Sequence, residues 1–165
     1  MERLRPLAAG VAWIAADNLH VTLKFLGGVE PPKVELVQSA VARAVRGTAP
    51  FDLVVTGLGA FPSATRPRVI WAGITAGRGE LTGLAASIEH ELAPIGFAPE
   101  DRPFSPHVTL GRVRETRRNE RLAEAFETGT AERFGTIRVE HVSLMRSDLS
   151  PRGARYSELS AHLLG

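Results

Sequence analysis

The stretch IRVEHVSLMRSDLSPRGARYSELSAHL, residues 137–163, carries two strand-like runs on either side of a turn. Ile137 to Met145 and Arg155 to Leu163 are the runs, and Pro151-Arg152-Gly153 forms the hairpin between them. Their direct succession, with no helix interposed, argues for an α+β sandwich rather than a parallel doubly wound sheet. Within the first run the apolar alternation changes phase at His141, between Ile137/Val139 and Val142/Leu144, which suggests a β-bulge there.

Upstream of this hairpin, strands and helices are interspersed. Val11 to Ala15 and Leu19 to Leu26 read as strands, separated by the turn-prone Asp17-Asn18. Pro31-Pro32 opens a helix in which Val34, Val37, Val41 and Val45 recur at helical spacing, and Gly47 closes it. Phe51 to Leu58 alternates into a strand, while Gly57-Leu58-Gly59 reads as a turn. Val69 to Ile74 is apolar on both faces, as a covered strand would be. The clearest helix follows Leu81, Leu84, Ala85, Ile88 and Leu92, ending near Pro94 and Gly96. A proline-rich loop, Pro99 to Pro106, leads into a strand from His107 to Val113, and a short helix follows around Leu122 and Phe126. No linker or low-complexity tract divides the chain, so residues 1–165 read as one domain.

Composition narrows the chemistry. At 165 residues the chain can bury a sizeable core without a disulfide or metal staple. There are no cysteines, which excludes disulfides, thiolate metal sites and cysteine nucleophiles together. No apolar run approaches the roughly eighteen residues of a membrane helix, and Met1-Glu2-Arg3-Leu4-Arg5-Pro6 lacks the apolar core of a signal peptide. A cytoplasmic location is therefore expected, with no membrane and no obligate protein partner. Net charge is only +2, so the whole molecule is no polyanion magnet. Yet the basic residues are lopsided: every one except Lys24 and Lys33 is arginine. Genome composition and a use of guanidinium groups for bidentate phosphate contacts both fit that bias. Arg102, Arg112, Arg114, Arg117, Arg118 and Arg121 concentrate it locally, as a solvated face or as a phosphate-tracking stripe.

One tetrapeptide occurs twice, as His20-Val21-Thr22-Leu23 and as His107-Val108-Thr109-Leu110. Side chains in a strand alternate faces with period two. His20 and Thr22 therefore share a face, opposite Val21 and Leu23, and His107 and Thr109 do likewise. An imidazole beside a hydroxyl on a rigid strand, twice over, suits one reaction type well. Cleaving a phosphodiester by in-line attack requires one proton taken from the nucleophile and another given to the departing oxygen. Histidine, with an unperturbed pKa of about 6.5, can fill either role. The hydroxyls can hold the non-bridging oxygens where charge collects. A single His-x-Thr on a strand is more often a surface or packing pair; duplication in matching contexts is what raises catalysis beside it. Metal binding lacks support, for there is no His-x-His, no HExxH, and no carboxylate in either copy. Nor is there a Gly-x-Ser-x-Gly nucleophile elbow. His90 and His162 read as solvated, and nothing indicates a catalytic part for His141.

These residues resemble a known family. Asn18 to Gly27 (NLHVTLKFLG) and Phe104 to Arg112 (FSPHVTLGR) are similar to the paired His-x-Thr-x motifs of the two-histidine phosphoesterases. Within that superfamily the resemblance is to the bacterial and archaeal RNA 2′,3′-cyclic phosphodiesterases, also called 2′-5′ RNA ligase-like proteins. Arg66 to Gly73 (RPRVIWAG) resembles the family's mid-chain strand. Leu144 to Tyr156, with Ser147, Gly153 and Tyr156, resembles its closing hairpin. The resemblance implies an α+β, bilobal, pseudo-symmetric fold, with two antiparallel sheets forming a central cleft, helices packed outside, and one His-x-Thr-x strand from each lobe. It implies hydrolysis of a terminal ribose 2′,3′-cyclic phosphate to a 2′-phosphate, with neither metal nor cofactor. Its partners would be RNA 3′ ends or small cyclic-phosphate nucleotides. His20 and His107 would be the catalytic pair, Thr22, Thr109 and Arg112 would hold the phosphate, and Lys24, Phe104 and Tyr156 are candidate substrate contacts. A non-catalytic RNA-binding module and 2′-5′ end ligation at the same site remain as alternatives. Members of the family usually begin with a further strand and a helix; here Arg3 to Ala9 resembles the end of that helix, and the preceding strand is missing.

Overall fold

The computed structural model describes residues 4–7, 10–114, 120–150 and 153–165. It is an α+β protein with two sheets and three α-helices among these residues. The strands are β1 (Val11–Trp13), β2 (Phe51–Phe61), β3 (Val69–Ala76), β4 (His107–Val113), β5 (Arg133–Val139), β6 (His141–Ser150) and β7 (Gly153–Leu163). The helices are α1 (Pro31–Ala44), α2 (Arg78–Leu92) and α3 (Glu120–Thr128). No helix among the described residues is long and apolar enough to cross a membrane.

By compactness the chain divides into two units. The first comprises Met1–Thr22, Leu53–Arg78 and Pro106–Ile137; the second comprises Leu23–Asp52, Gly79–Ser105 and Arg138–Gly165. The first holds a five-stranded sheet in the order β1-β4-β3-β2-β5. Its central strand β3 pairs antiparallel with β4 on one side and with β2 on the other. Ile70, Ala72 and Ile74 of β3 are buried together with Val108 and Leu110 of β4, Val55 and Leu58 of β2, and Leu122 and Phe126 of α3. The last two lie four apart, which brings them to one helical face. The expectation that Val69 to Ile74 is covered on both faces is corrected: Val69, Trp71 and Gly73 are only half-buried.

The second unit pairs the hairpin β6–β7 with α1 and α2. Pro31 occupies the first turn of α1, where its missing N–H costs no intrahelical bond. Val37, Ala40, Val41 and Ala44 form the buried stripe of that helix. Leu81, Leu84, Ala85, Ile88 and Leu92 do the same in α2, and Gly96, at φ 94°, takes the left-handed conformation beyond its end. The hairpin runs antiparallel from His141↔Leu163 to Ser150↔Gly153. Its turn residues Pro151 and Arg152 lie outside the described residues, as do Arg3, Ala8, Ala9, Arg117 and Arg118. Between Arg3 and Ala9 the described part holds a single 3-10 turn, Arg5–Leu7.

Two local expectations are corrected here. The phase change near His141 is no bulge in one long strand. β5 ends at Val139 in the five-stranded sheet and β6 starts at His141 in the two-stranded one, so the two alternations answer to different sheets. The irregularity of the hairpin lies further on, between Leu144 and Met145. Gly57-Leu58-Gly59, read as a turn, lies inside β2, where glycine marks a bulge and a close approach instead.

Candidate active site

β4 carries the second tetrapeptide. Alternation along it buries Val108 and Leu110 and leaves His107 and Thr109 half-exposed on the other face. The first copy lies in irregular chain, not in the strand expected over Leu19–Leu26. A 3-10 turn at Ala16–Asn18 diverts the chain after β1. It returns to β4 for a single antiparallel bridge, Val21↔Val108. That bridge is enough to set the geometry. In antiparallel register about it, Thr22 stands across from His107 and His20 across from Thr109. Directly opposed Cβ atoms lie about 5 Å apart and diagonal ones roughly 7 Å. Two imidazoles at opposite corners and two hydroxyls at the others thus share one face. His20, Val21 and Thr22 of the first copy and the whole of the second fall in the first unit, and Leu23 opens the second.

Arg112 joins the same face through an irregularity. Strict alternation from His107 and Thr109 would turn it the other way, with Val108 and Leu110. A register shift between Ile70 and Trp71 places Arg112 opposite Val69, while Thr109 is opposite Trp71 and His107 opposite Gly73. The extra residue restores Arg112, exposed, to the His107 side. The adjoining Gly111 is buried, and a Cβ there would meet Val11 Cγ1 at 2.7 Å.

The rings are oriented by their neighbours. His20 Nδ1 lies 2.7 Å from the carbonyl oxygen of Asn18. A carbonyl can only accept, so Nδ1 carries a hydrogen and Nε2 is the nitrogen that gains or loses the proton. Phe61 stands edge-on to His107, with ring centroids 5.2 Å apart at 79°. Trp71 lies 5.3 Å from Phe61 and 6.4 Å from His107. The indole occupies the space above Gly59, where a Cβ would fall 2.2 Å from its Cζ2. Its Nε1 is buried without a hydrogen-bond partner, so packing alone holds the ring.

Lys24 has a different task from the one expected. Its side chain is 4% exposed, and its Nζ donates to Glu89 Oε1 and to the Ala98 carbonyl, each at 2.9 Å. Glu89 accepts also from the Glu100 backbone N–H. The Lys24 hydrogen bond, then the Glu100 N–H, hold the Glu89 carboxyl below the usual glutamate range. These contacts tie the loop at residues 98–100 to α2 and remove Lys24 from the candidate substrate contacts. Phe104 and Tyr156 belong, like Lys24, to the second unit and are half-buried, Tyr156 opposite Ser147. His162, expected to be solvated, is half-buried, with Nε2 2.9 Å from Ser160 Oγ. Among the described residues no group of three or more His, Asp or Glu is placed to hold a metal ion.

The family model of the 2′-5′ RNA ligase superfamily matches residues 1–151. The chain belongs to that superfamily. It is 35% identical over 163 residues to the RNA 2′,3′-cyclic phosphodiesterase of Methanothermobacter thermautotrophicus, covering 99% of this chain and 88% of that one. To the enzyme of the same name from Thermotoga maritima it is 32% identical, covering 96% and 82%. Among solved structures, TT0787 of Thermus thermophilus superposes with a TM-score of 0.82 at 28% identity, over 99% of this chain and 86% of that one. Escherichia coli LigT complexed with 3′-AMP gives 0.73 at 28% identity, over 94% and 82%. The α+β architecture with antiparallel sheets is thus that of the LigT-type phosphoesterases.

In this superfamily member the repeated motif was legible in the sequence, whereas its aromatic neighbours were not singled out. Trp71 falls within the apolar run Val69 to Ile74, and Phe61 lies beyond the strand read over Phe51 to Leu58. A signal did exist: two glycines, Gly59 and Gly73, in strands that would otherwise favour bulky residues, vacate the room that the indole fills.

Proposed function

We propose that this chain hydrolyses a ribose 2′,3′-cyclic phosphate, at an RNA 3′ end or on a small nucleotide, to a 2′-phosphate. The observation that carries the proposal is the Val21↔Val108 bridge, which gathers His20, Thr22, His107 and Thr109 on one face. The names of the relatives point to the same reaction. In this reading a water oxygen attacks phosphorus in line with the P–O3′ bond. His107 takes the water's proton, the P–O3′ bond breaks, and His20 gives the O3′ its proton from Nε2. His20 then rests as the Nδ1–H tautomer that the Asn18 carbonyl favours, and exchange with solvent resets both rings. Thr22 and Thr109 donate to the non-bridging oxygens, and Arg112 adds a guanidinium to the same group. No cofactor enters this scheme, and the cysteine-free composition fits a cytoplasmic setting.

A cyclic-phosphate-ended oligonucleotide tests this directly. The product should be the 2′-phosphate, formed as fast in EDTA as without it. A 3′-phosphate product, or loss of activity on chelation, would overturn the mechanism. The superfamily's name supports a second reading, joining of RNA ends. There a 5′-hydroxyl replaces water as the nucleophile, the P–O3′ bond again breaks, and a 2′-5′ linkage remains. Adding a 5′-hydroxyl oligonucleotide to the same assay reveals it by the longer product.

A further inference from the structure

β3 runs between β4, which carries His107, and β2, which carries Thr56, and all three residues of interest lie in the first unit. Gly73 of β3 stands directly opposite His107 on one side and directly opposite Thr56 on the other. Directly opposed residues share a face, so the three form a row whose middle member has no side chain. Close packing requires that: a Cβ on Gly73 would meet the Thr56 carbonyl oxygen at 2.9 Å and Trp71 Cζ3 at 3.4 Å. Two interstrand spacings, roughly 10 Å together, separate His107 from Thr56 along the row. Thr75, two residues beyond Gly73 and exposed, completes the far end. Its Oγ1 lies 3.1 Å from Thr56 Oγ1 and donates to the Val54 carbonyl at 3.4 Å. A hydroxyl has one hydrogen, and a carbonyl can only accept. Thr75 therefore gives its hydrogen to Val54, Thr56 donates to Thr75, and the Thr56 oxygen is left with lone pairs to offer. The row beside His107 thus ends in a hydrogen-bond acceptor, with an indole as its neighbour. A phosphate oxygen finds no donor there, whereas a sugar hydroxyl finds an acceptor.

We propose that Thr56, backed by Thr75, binds the 2′-hydroxyl of the nucleotide preceding the cyclic-phosphate end. This rests on the reading of the site as a cyclic phosphodiesterase. In such a substrate both the 2′ and 3′ oxygens of the terminal ribose are bonded to phosphorus. The next sugar hydroxyl along the strand is the 2′-hydroxyl one nucleotide upstream, and the row from His107 to Thr56 spans a step of that order. That hydroxyl distinguishes RNA from DNA, so the subsite selects an RNA strand over a DNA strand that ends in a single ribonucleotide.

The test uses three decanucleotides with the same cyclic-phosphate end, whose penultimate sugar is ribose, 2′-deoxyribose or 2′-fluororibose. Wild type should favour the ribose substrate over the deoxy one by roughly 3- to 10-fold in kcat/KM. The fluoro substrate keeps the sugar pucker of RNA but has no hydrogen to donate, and should behave as the deoxy one. Thr56→Val should abolish the preference, and Thr56→Ser should restore it. A preference that survives Thr56→Val, or a fluoro substrate that matches ribose, would overturn the proposal. Equal losses on all three substrates in Thr56→Val would also overturn it and leave Thr56 as a support for the sheet. Binding of the same decanucleotides ended in a 2′-phosphate, followed by fluorescence anisotropy, needs no turnover. If wild type hydrolyses none of the substrates yet binds the ribose strand more tightly, with Thr56→Val erasing the difference, the subsite stands and the hydrolytic reading falls. Equal binding of the ribose and deoxy strands overturns the subsite itself.

Discussion

A backbone carbonyl facing Nδ1 assigns His20 its tautomer, and with it the atom that would move a proton in the proposed reaction. The four side chains around the Val21↔Val108 bridge then differ in what their loss should do. Replacing His20 or His107 by alanine removes a proton transfer, so kcat should fall by about 10² to 10⁴-fold while KM changes little. Steady-state kinetics on a cyclic nucleotide checks this, and wild-type turnover in both variants would sink the acid–base assignment. Thr22→Val and Thr109→Val keep the shape and delete one donor to a charged oxygen. Each should cost roughly 1.5–3 kcal/mol of transition-state stabilisation, read as kcat/KM. If the threonines merely pack, the valine variants will be silent.

Elements set these residues in place through small departures from ideal geometry. Glycine at 59 admits the Trp71 indole, which in turn abuts Phe61 beside His107. Gly59→Ala puts a Cβ inside that ring and should destabilise the protein by about 1–3 kcal/mol, seen as a lower denaturation midpoint. A second local device is the Lys24–Glu89 pair. Glu89 has its folded-state pKa lowered, so its contribution to stability is present above the ordinary glutamate pKa. It is lost as pH falls through the lowered value. Protection of the Ala98 and Glu100 amides from hydrogen exchange, relative to the intrinsic rate at each pH, should therefore fall on acidification, and Glu89→Gln should show the lowered protection already at neutral pH; protection indifferent to both would remove the tether. Such devices explain what the sequence could and could not disclose. The stripes of α1 and α2 and the alternation of β4 are periodic, and so were legible. Arg112 reaches the site through a register shift, the Leu19–Leu26 run makes one bridge where a strand was expected, and Lys24 turns to Glu89, 65 residues away in the chain. Each of those outcomes depends on a partner remote in sequence, which periodicity cannot register.

On the scale of the whole molecule, charge sets how RNA would be held in the proposed function. Net charge is +2 despite the arginine-rich composition. Among the described arginines of the Arg102–Arg121 cluster, Arg112 lies on the His-x-Thr face. Recognition of a strand's end should then neutralise one or two phosphates, in contrast to the long run that an arginine stripe would follow. For single strands log K falls with log salt at about 0.7 per phosphate contacted. A tenfold rise in salt should accordingly weaken binding of a cyclic-phosphate-ended decanucleotide by about 5- to 25-fold. The slope should be nearly that of the mononucleotide, and Arg112→Ala should flatten both. KM or direct binding measured across a salt series gives these slopes. A decanucleotide slope several times steeper than the mononucleotide's would mean that the basic cluster tracks the backbone, and end recognition would then be the lesser part of RNA binding.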